Sequence, residues 1–224
     1  MANKKALILY SGGLDSTTVL HHAISKGYDC TALTIDYNQR HSYEVQSSQE
    51  YLKKENIDGL IFKIDLSQIG GSALTDSEIK VPVEHRDGIP ITYVPARNTI
   101  FLSIASAYAE KLMIPEIFIG VNQIDYSGYP DCRPEFVDSF QKTIKLGTKV
   151  GVSGDSILIS APLINMTKVE IIRYGTELGI DYSRTVSCYQ VDSEGRACGM
   201  CDSCKFRKEG FELAGIKDPT RYKN

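Results

Sequence analysis

One stretch near the start of the chain constrains the fold more than any other. An apolar run, Ala6-Leu7-Ile8-Leu9-Tyr10, leads straight into Ser11-Gly12-Gly13-Leu14-Asp15-Ser16 and then into Thr17-Thr18-Val19-Leu20. A buried strand, a tight glycine turn and a helix start, in that order, form the repeating unit of a parallel sheet with crossover helices. The two glycines let the backbone turn sharply and leave no Cβ in the way of a close ligand. A helix start offers unpaired N–H donors and about half a positive charge, which suits a phosphate or pyrophosphate. Tyr10, Ser11, Gly12, Gly13, Leu14, Ser16, Thr17 and Thr18 are therefore expected around a nucleotide. Asp15 is the odd member, since a carboxylate repels phosphate unless a metal ion stands between them. We read it as a Mg²⁺ partner or as a cap on its own helix.

The same alternation continues downstream. Residues 17–26 read as a helix closed by Gly27, 29–35 as a strand, 42–55 as a helix and 60–66 as a strand. Residues 67–91 lack periodicity and suit either a lid or a disordered insertion. A short strand is expected at 93–95, a helix at 99–112, a strand at 116–120, a helix at 137–146 and a strand at 157–163. The helix that follows ends near Gly179 and opens with a Thr167-x-x-Glu170 capping box. The fold class is α/β, a parallel twisted sheet flanked by helices.

Ligands in such sheets lie beyond the carboxyl ends of the strands, so the residues after each strand are the candidates for chemistry. Arg40 and His41 follow the second strand. Arg97, at a helix start where the dipole disfavours a cation, suits a phosphate or a carboxylate. In the loop after residue 120, Asp125 and Asp131 suit the donors of a guanine-like edge. Tyr129 offers a stacking face and Arg133 a grip on a carboxylate. Lys168, in the first turn behind Thr167, calls for an anion in front of it and is the candidate for a bound phosphate.

Of the six cysteines, Cys188, Cys198, Cys201 and Cys204 form a Cys-x9-Cys-x2-Cys-x2-Cys cluster. Four thiolates so spaced suit a closed structural Zn²⁺ site, which has no open position for a substrate. An iron–sulfur cluster is the competitor, but the fourth cysteine and following proline of the ferredoxin pattern are not matched. The expected organisation is a nucleotide-binding α/β domain over residues 1–186 with a zinc-binding segment, 187–224, packed on it. A formal net charge of −3 argues against non-specific nucleic-acid binding. No apolar run approaches the roughly 20 residues needed to cross a bilayer, and no signal-peptide pattern opens the chain, so a cytoplasmic protein is expected.

Ser-Gly-Gly-x-Asp-Ser after a first strand resembles the PP-loop of the ATP pyrophosphatases, which split ATP between its α and β phosphates. The resemblance narrows when other segments are added. They are residues 37–41 with Glu44, 93–98 with Phe101-Leu102-Ser103, and Gly120-Val121-Asn122 with 125–136. Pro162-Leu163 with Lys168 and Glu170, and Ser187-Cys188 with the cysteine knuckle, complete the set. Together they resemble the 7-cyano-7-deazaguanine synthase family of the queuosine pathway. Ala96 departs from the glycine often found before Arg-Asn in that family.

The resemblance implies an adenine nucleotide alpha hydrolase-like fold that converts 7-carboxy-7-deazaguanine and ammonia to the 7-nitrile through adenylated acid and amide. It implies ATP and Mg²⁺ at the loop, with Asp15, Ser16, Lys168 and Arg97 acting on the phosphates. Adenine would lie near Thr34 and Gly120, and the deazapurine against Asp125, Tyr129, Asp131 and Arg133. It further implies one structural Zn²⁺ on Cys188, Cys198, Cys201 and Cys204, a homodimer, and no nucleic-acid or membrane partner. A tRNA-modifying PP-loop enzyme would need an RNA-binding domain or a strongly basic face. A non-enzymatic nucleotide module would not need the 125–133 loop.

Overall fold

The computed structural model describes residues 4–40, 43–82, 88–123 and 128–223. Five strands, β1 (Lys4–Leu9), β2 (Tyr28–Asp36), β3 (Asp58–Lys63), β4 (Glu116–Phe118) and β5 (Leu158–Ser160), form one parallel sheet in the order β3-β2-β1-β4-β5. β1 is central, with Leu7 opposite both Thr31 of β2 and Ile117 of β4. Helices cover both faces, so Ala6, Leu7 and Ile8 are all fully buried and β1 reads as an unbroken apolar run. Alternate residues supply two cores. Leu7 and Leu9 pack with Leu33, Ile117 and Leu102, whereas Ala6 and Ile8 pack with Ala32, Phe118, Leu20 and Phe211.

The helices are α1 (Leu14–Ser25), α2 (Tyr43–Lys54), α3 (Arg97–Leu112), α4 (Pro134–Gly147), the single turn α5 (Lys149–Val152), α6 (Lys168–Glu177) and α7 (Asp202–Ala214). Among the described residues no helix is long and apolar enough to cross a membrane. From β1 the chain winds outward to β3, then returns to the other side of β1 to form β4 and β5. The strand order thus reverses between β1 and β4, which is where an open α/β sheet makes its ligand crevice.

Several boundaries differ from expectation. α1 begins at Leu14, not residue 17, because Gly13 takes the extended N-cap conformation (φ −77°, ψ 170°). Asp15 and Ser16 therefore stand inside the first helical turn. The strand expected at 93–95 does not form. Tyr93 N–H bonds to Pro90 O and Arg97 N–H to Val94 O, so the segment folds into consecutive turns, and Pro95 has no N–H for a ladder. α3 consequently starts two residues early, at Arg97. Residues 67–82 and 88–91 carry no regular helix or strand but are packed. Ala73, Leu74 and Val81 are buried, and Ala73 N–H bonds to Ile91 O at 2.8 Å. A disordered insertion therefore does not describe them. α7, for which no expectation was formed, places Phe211 in the core at 1% exposure.

Candidate active site

The turn after β1 is held by its own side chains. Ser16 Oγ accepts Ser11 N–H at 3.2 Å and donates to Gly13 O, while Ser11 Oγ accepts Gly13 N–H. Gly12 has φ +80°, a left-handed value, and a Cβ there would stand 3.1 Å from Ser48 Cβ. Gly13 has no side chain to cap α1, and of the first-turn amides Leu14 N–H is taken by Ser187 Oγ at 3.2 Å. Gly120, just past β4, closes against this turn, since a Cβ there would lie 3.3 Å from Ser16 N. The turn thus sits at the point where the strand order reverses.

A cavity of about 550 Å³ opens over it, within the usual range for a small-molecule site. Tyr10, Ser11, Gly13, Leu14, Asp15 and Ser16 line one end, with Thr34, Gly120, Arg97, Tyr129 and Lys168. Most of the residues expected from sequence thus meet at one wall. Gly12, Thr17 and Thr18 do not line it. Thr17 and Thr18 are fully buried, and the Thr18 hydroxyl donates to Leu14 O and pairs with Tyr182 OH, so both hold α1 from behind. Asp131 and Arg133 are not at the wall either. The Asp131 carboxylate accepts Asn98 N–H at 2.9 Å and so serves the start of α3, while Arg133 is exposed at the start of α4. Asp125 and His41 lie outside the described residues. Arg40 lines the cavity, but its Nη2 donates to the carbonyls of Asp76, Ser77 and Ile79 and so pins the 67–82 segment.

Asp15 and Lys168 face each other across the site. Lys168 Nζ donates to both carboxylate oxygens, at 2.7 and 2.8 Å. The cation that opposes the α6 dipole has Asp15 in front of it. Thr167 and Glu170 form the expected capping box behind it. Arg97 lies against Phe101, and Tyr37 packs on the same ring at 5.5 Å between centroids. Tyr129 is fixed by Tyr93 and by a 3.0 Å hydrogen bond with Thr92. The cavity therefore combines a cation with flat aromatic faces.

Glu44, in the first turn of α2, also lines the cavity. Burial pushes its carboxyl up to about 7, against the pull of Arg97. Its position past the second strand was the available sequence signal. Val186, Ser187, Tyr189, Phe206 and Arg207 complete the wall from the C-terminal segment. No periodicity or motif had pointed to Arg207.

The Sγ atoms of Cys188, Cys198, Cys201 and Cys204 lie within 4.8 Å of one another, and all four residues are buried. A tetrahedral metal with M–S near 2.3 Å spaces its sulfurs about 3.8 Å apart, and Cys198 and Cys204 stand at 3.9 Å. Gln190 and Cys198 N–H donate to Cys188 Sγ, and Met200 and Cys201 N–H donate to Cys198 Sγ, as suits thiolates. The donor set fits a thiophilic ion.

A family profile described as queuosine biosynthesis protein QueC matches residues 5–215. The chain is 57% identical over 225 residues to a 7-cyano-7-deazaguanine synthase from Saccharophagus degradans, covering 100% of both. It is 55% identical to the protein of that name from Cellvibrio japonicus, over 99% of each. Among solved structures, one described as a predicted subunit of tRNA methyltransferase from Methanocaldococcus jannaschii matches with a TM-score of 0.52 at 13% identity. It covers 99% of this chain and 93% of that one, and the likeness is one of fold.

Proposed function

The chain belongs to the queuosine biosynthesis protein QueC family, and on that premise we propose that its cavity turns 7-carboxy-7-deazaguanine and ammonia into the 7-nitrile, consuming ATP. The observation that carries this reading is the meeting of the Ser11–Ser16 turn with a cationic, aromatic wall in one cavity. ATP lies with its phosphates on the turn and adenine near Thr34 and Gly120. The heterocycle stacks toward Tyr129. Its carboxylate oxygen attacks the α-phosphorus and pyrophosphate leaves, giving the acyl-adenylate. Negative charge grows on the leaving group, where the first-turn amides of α1, Ser16 and Lys168 meet it, with Arg97 as a second cation. Mg²⁺, when bound at Asp15, supplies further charge neutralisation.

Ammonia then displaces AMP and a proton is released. A second ATP adenylates the amide oxygen with release of pyrophosphate, and loss of both amide N–H protons and of AMP leaves the nitrile. Glu44, ionised near neutrality and facing the cavity, accepts these protons. The four cysteines hold one structural Zn²⁺ that fastens residues 187–223 to the sheet domain. A homodimer in the cytoplasm completes the reading. Exposed Met113, Leu146, Val152 and Leu158 support it, carried on segments joined by the Val150–Glu110 and Leu158–Pro115 hydrogen bonds.

The test is incubation with the carboxylated deazaguanine, ATP, Mg²⁺ and ammonia, followed by mass spectrometry. Nitrile and AMP are expected. No AMP above background overturns the proposal, and AMP formed only with tRNA present favours the tRNA-modifying alternative.

A further inference from the structure

A turn built on Gly12 and Gly13 has little intrinsic rigidity, because glycine has the most conformational freedom to lose. Two hydrogen bonds brace this turn from outside, and both come from one segment. Val186 N–H donates to Gly12 O at 3.1 Å, and Leu14 N–H donates to Ser187 Oγ at 3.2 Å. The contact is close, since a Cβ on Gly13 would lie 3.4 Å from Val186 O. The segment is itself anchored by Arg207, which is 3% exposed. Its Nη1 donates to Thr185 Oγ1 at 2.8 Å and to Ser187 Oγ at 3.4 Å, and its Nη2 donates to Tyr182 O at 2.9 Å. Asp218 accepts from Nε at 3.2 Å and balances the charge. Burying a guanidinium is costly unless its donors are used, and here three of its four bonds hold residues 182–187.

The same helix seats the opposite side of the site. Gly210 of α7 lies against the Lys168 stem, where a Cβ would fall 2.7 Å from Lys168 Cγ and 2.8 Å from Ile172 Cδ1. Only a residue without a side chain lets α7 approach there. Ser203, within the cysteine cluster's sequence, donates to Ser187 O, so the cluster and the turn share a backbone.

From this we infer that Ser187, Arg207 and Gly210 are positioning residues for the nucleotide: the first two fix the phosphate-binding turn and the third sets Lys168 against it. The inference rests on the ATP-binding half of the proposed function and is independent of the identity of the second substrate.

The test uses the full, metal-replete chain. Binding of α,β-methylene-ATP with Mg²⁺ is measured by titration calorimetry, alongside KM for ATP, metal content and melting temperature. Ser187→Ala is expected to weaken nucleotide binding about three- to tenfold, the scale of one lost hydrogen bond. KM for the carboxylated substrate, metal content and melting temperature should stay as they were. Gly210→Ala is expected to lower kcat more than it changes nucleotide affinity, since it displaces Lys168 and leaves the turn in place. Lys223→Ala, which removes an exposed contact to Gln190 O elsewhere in the segment, should leave both unchanged. Wild-type nucleotide affinity in Ser187→Ala overturns the inference, as does a loss that merely follows metal content or folded fraction. If the unaltered chain binds the analogue, Ser187→Ala weakens it and no nitrile forms, the proposed reaction fails while this inference stands.

Discussion

Asp15 shows how far a single residue could be read in advance. The sequence offers two readings, metal partner and helix cap. The structure places it in the first turn of α1, bonded through both oxygens to Lys168, with Gly13 at the N-cap. The cap reading therefore falls away. Asp15→Asn keeps the shape and removes the charge. Turnover should fall at least a hundredfold while the chain still folds, with a lowered melting temperature because Lys168 loses its mostly buried partner; AMP release and calorimetry check the two. Glu44 adds a pH signature. A carboxyl held near 7 is protonated below that pH and ionised above it, and only the ionised form accepts a proton. Rate at constant free ammonia should rise through about pH 7, and Glu44→Gln should flatten that limb while sparing adenylation, followed by pyrophosphate release. That most of the turn residues and Lys168 line one cavity was legible because glycines, hydroxyls and a misplaced cation are local signals. Arg207 was not, because it meets the 182–187 segment only in space, 20 to 25 residues back along the chain.

Among the elements, α6 was read most accurately, because its capping box is a local pattern and the structure contains both of its hydrogen bonds. Thr167→Ala should destabilise by about 1 kcal/mol. For a chain of this size that lowers the melting temperature by about 2–4 °C, measurable by scanning calorimetry. The start of α3 was read poorly. A strand was expected where consecutive turns lead to Ala96, which holds φ +53° and ψ +25° in the left-handed region. That conformation costs a non-glycine residue about 1–2 kcal/mol. Ala96→Gly should raise the melting temperature by a few degrees, part of the gain being offset by unfolded-state entropy. A drop in melting temperature would contradict this account of the turn.

For the molecule as a whole, the cysteine cluster and the Gly12–Gly13 turn are neighbours through Cys188 and Ser187. Stripping the metal with a chelator, or changing Cys201 to Ser, should lower the melting temperature by more than 5 °C and expose the 187–223 segment to protease. Elemental analysis should find about one zinc per chain, and iron with sulfide would overturn the zinc assignment. The sequence alone determined the parallel α/β class, the glycine turn after β1, the cysteine cluster and the family, because each is written in contiguous residues or in short spacings. Only the tertiary structure decided which side chains share the cavity. It moved Asp131 to the start of α3, spent Arg40 on the 67–82 segment, joined Asp15 to Lys168 and brought the C-terminal segment behind the turn. Those pairings span from 33 to 173 residues of chain. The Asp15–Lys168 and Leu14–Ser187 pairings arise from the reversal of strand order between β1 and β4 and from the packing of α7 on α6, neither of which leaves a local mark in the sequence.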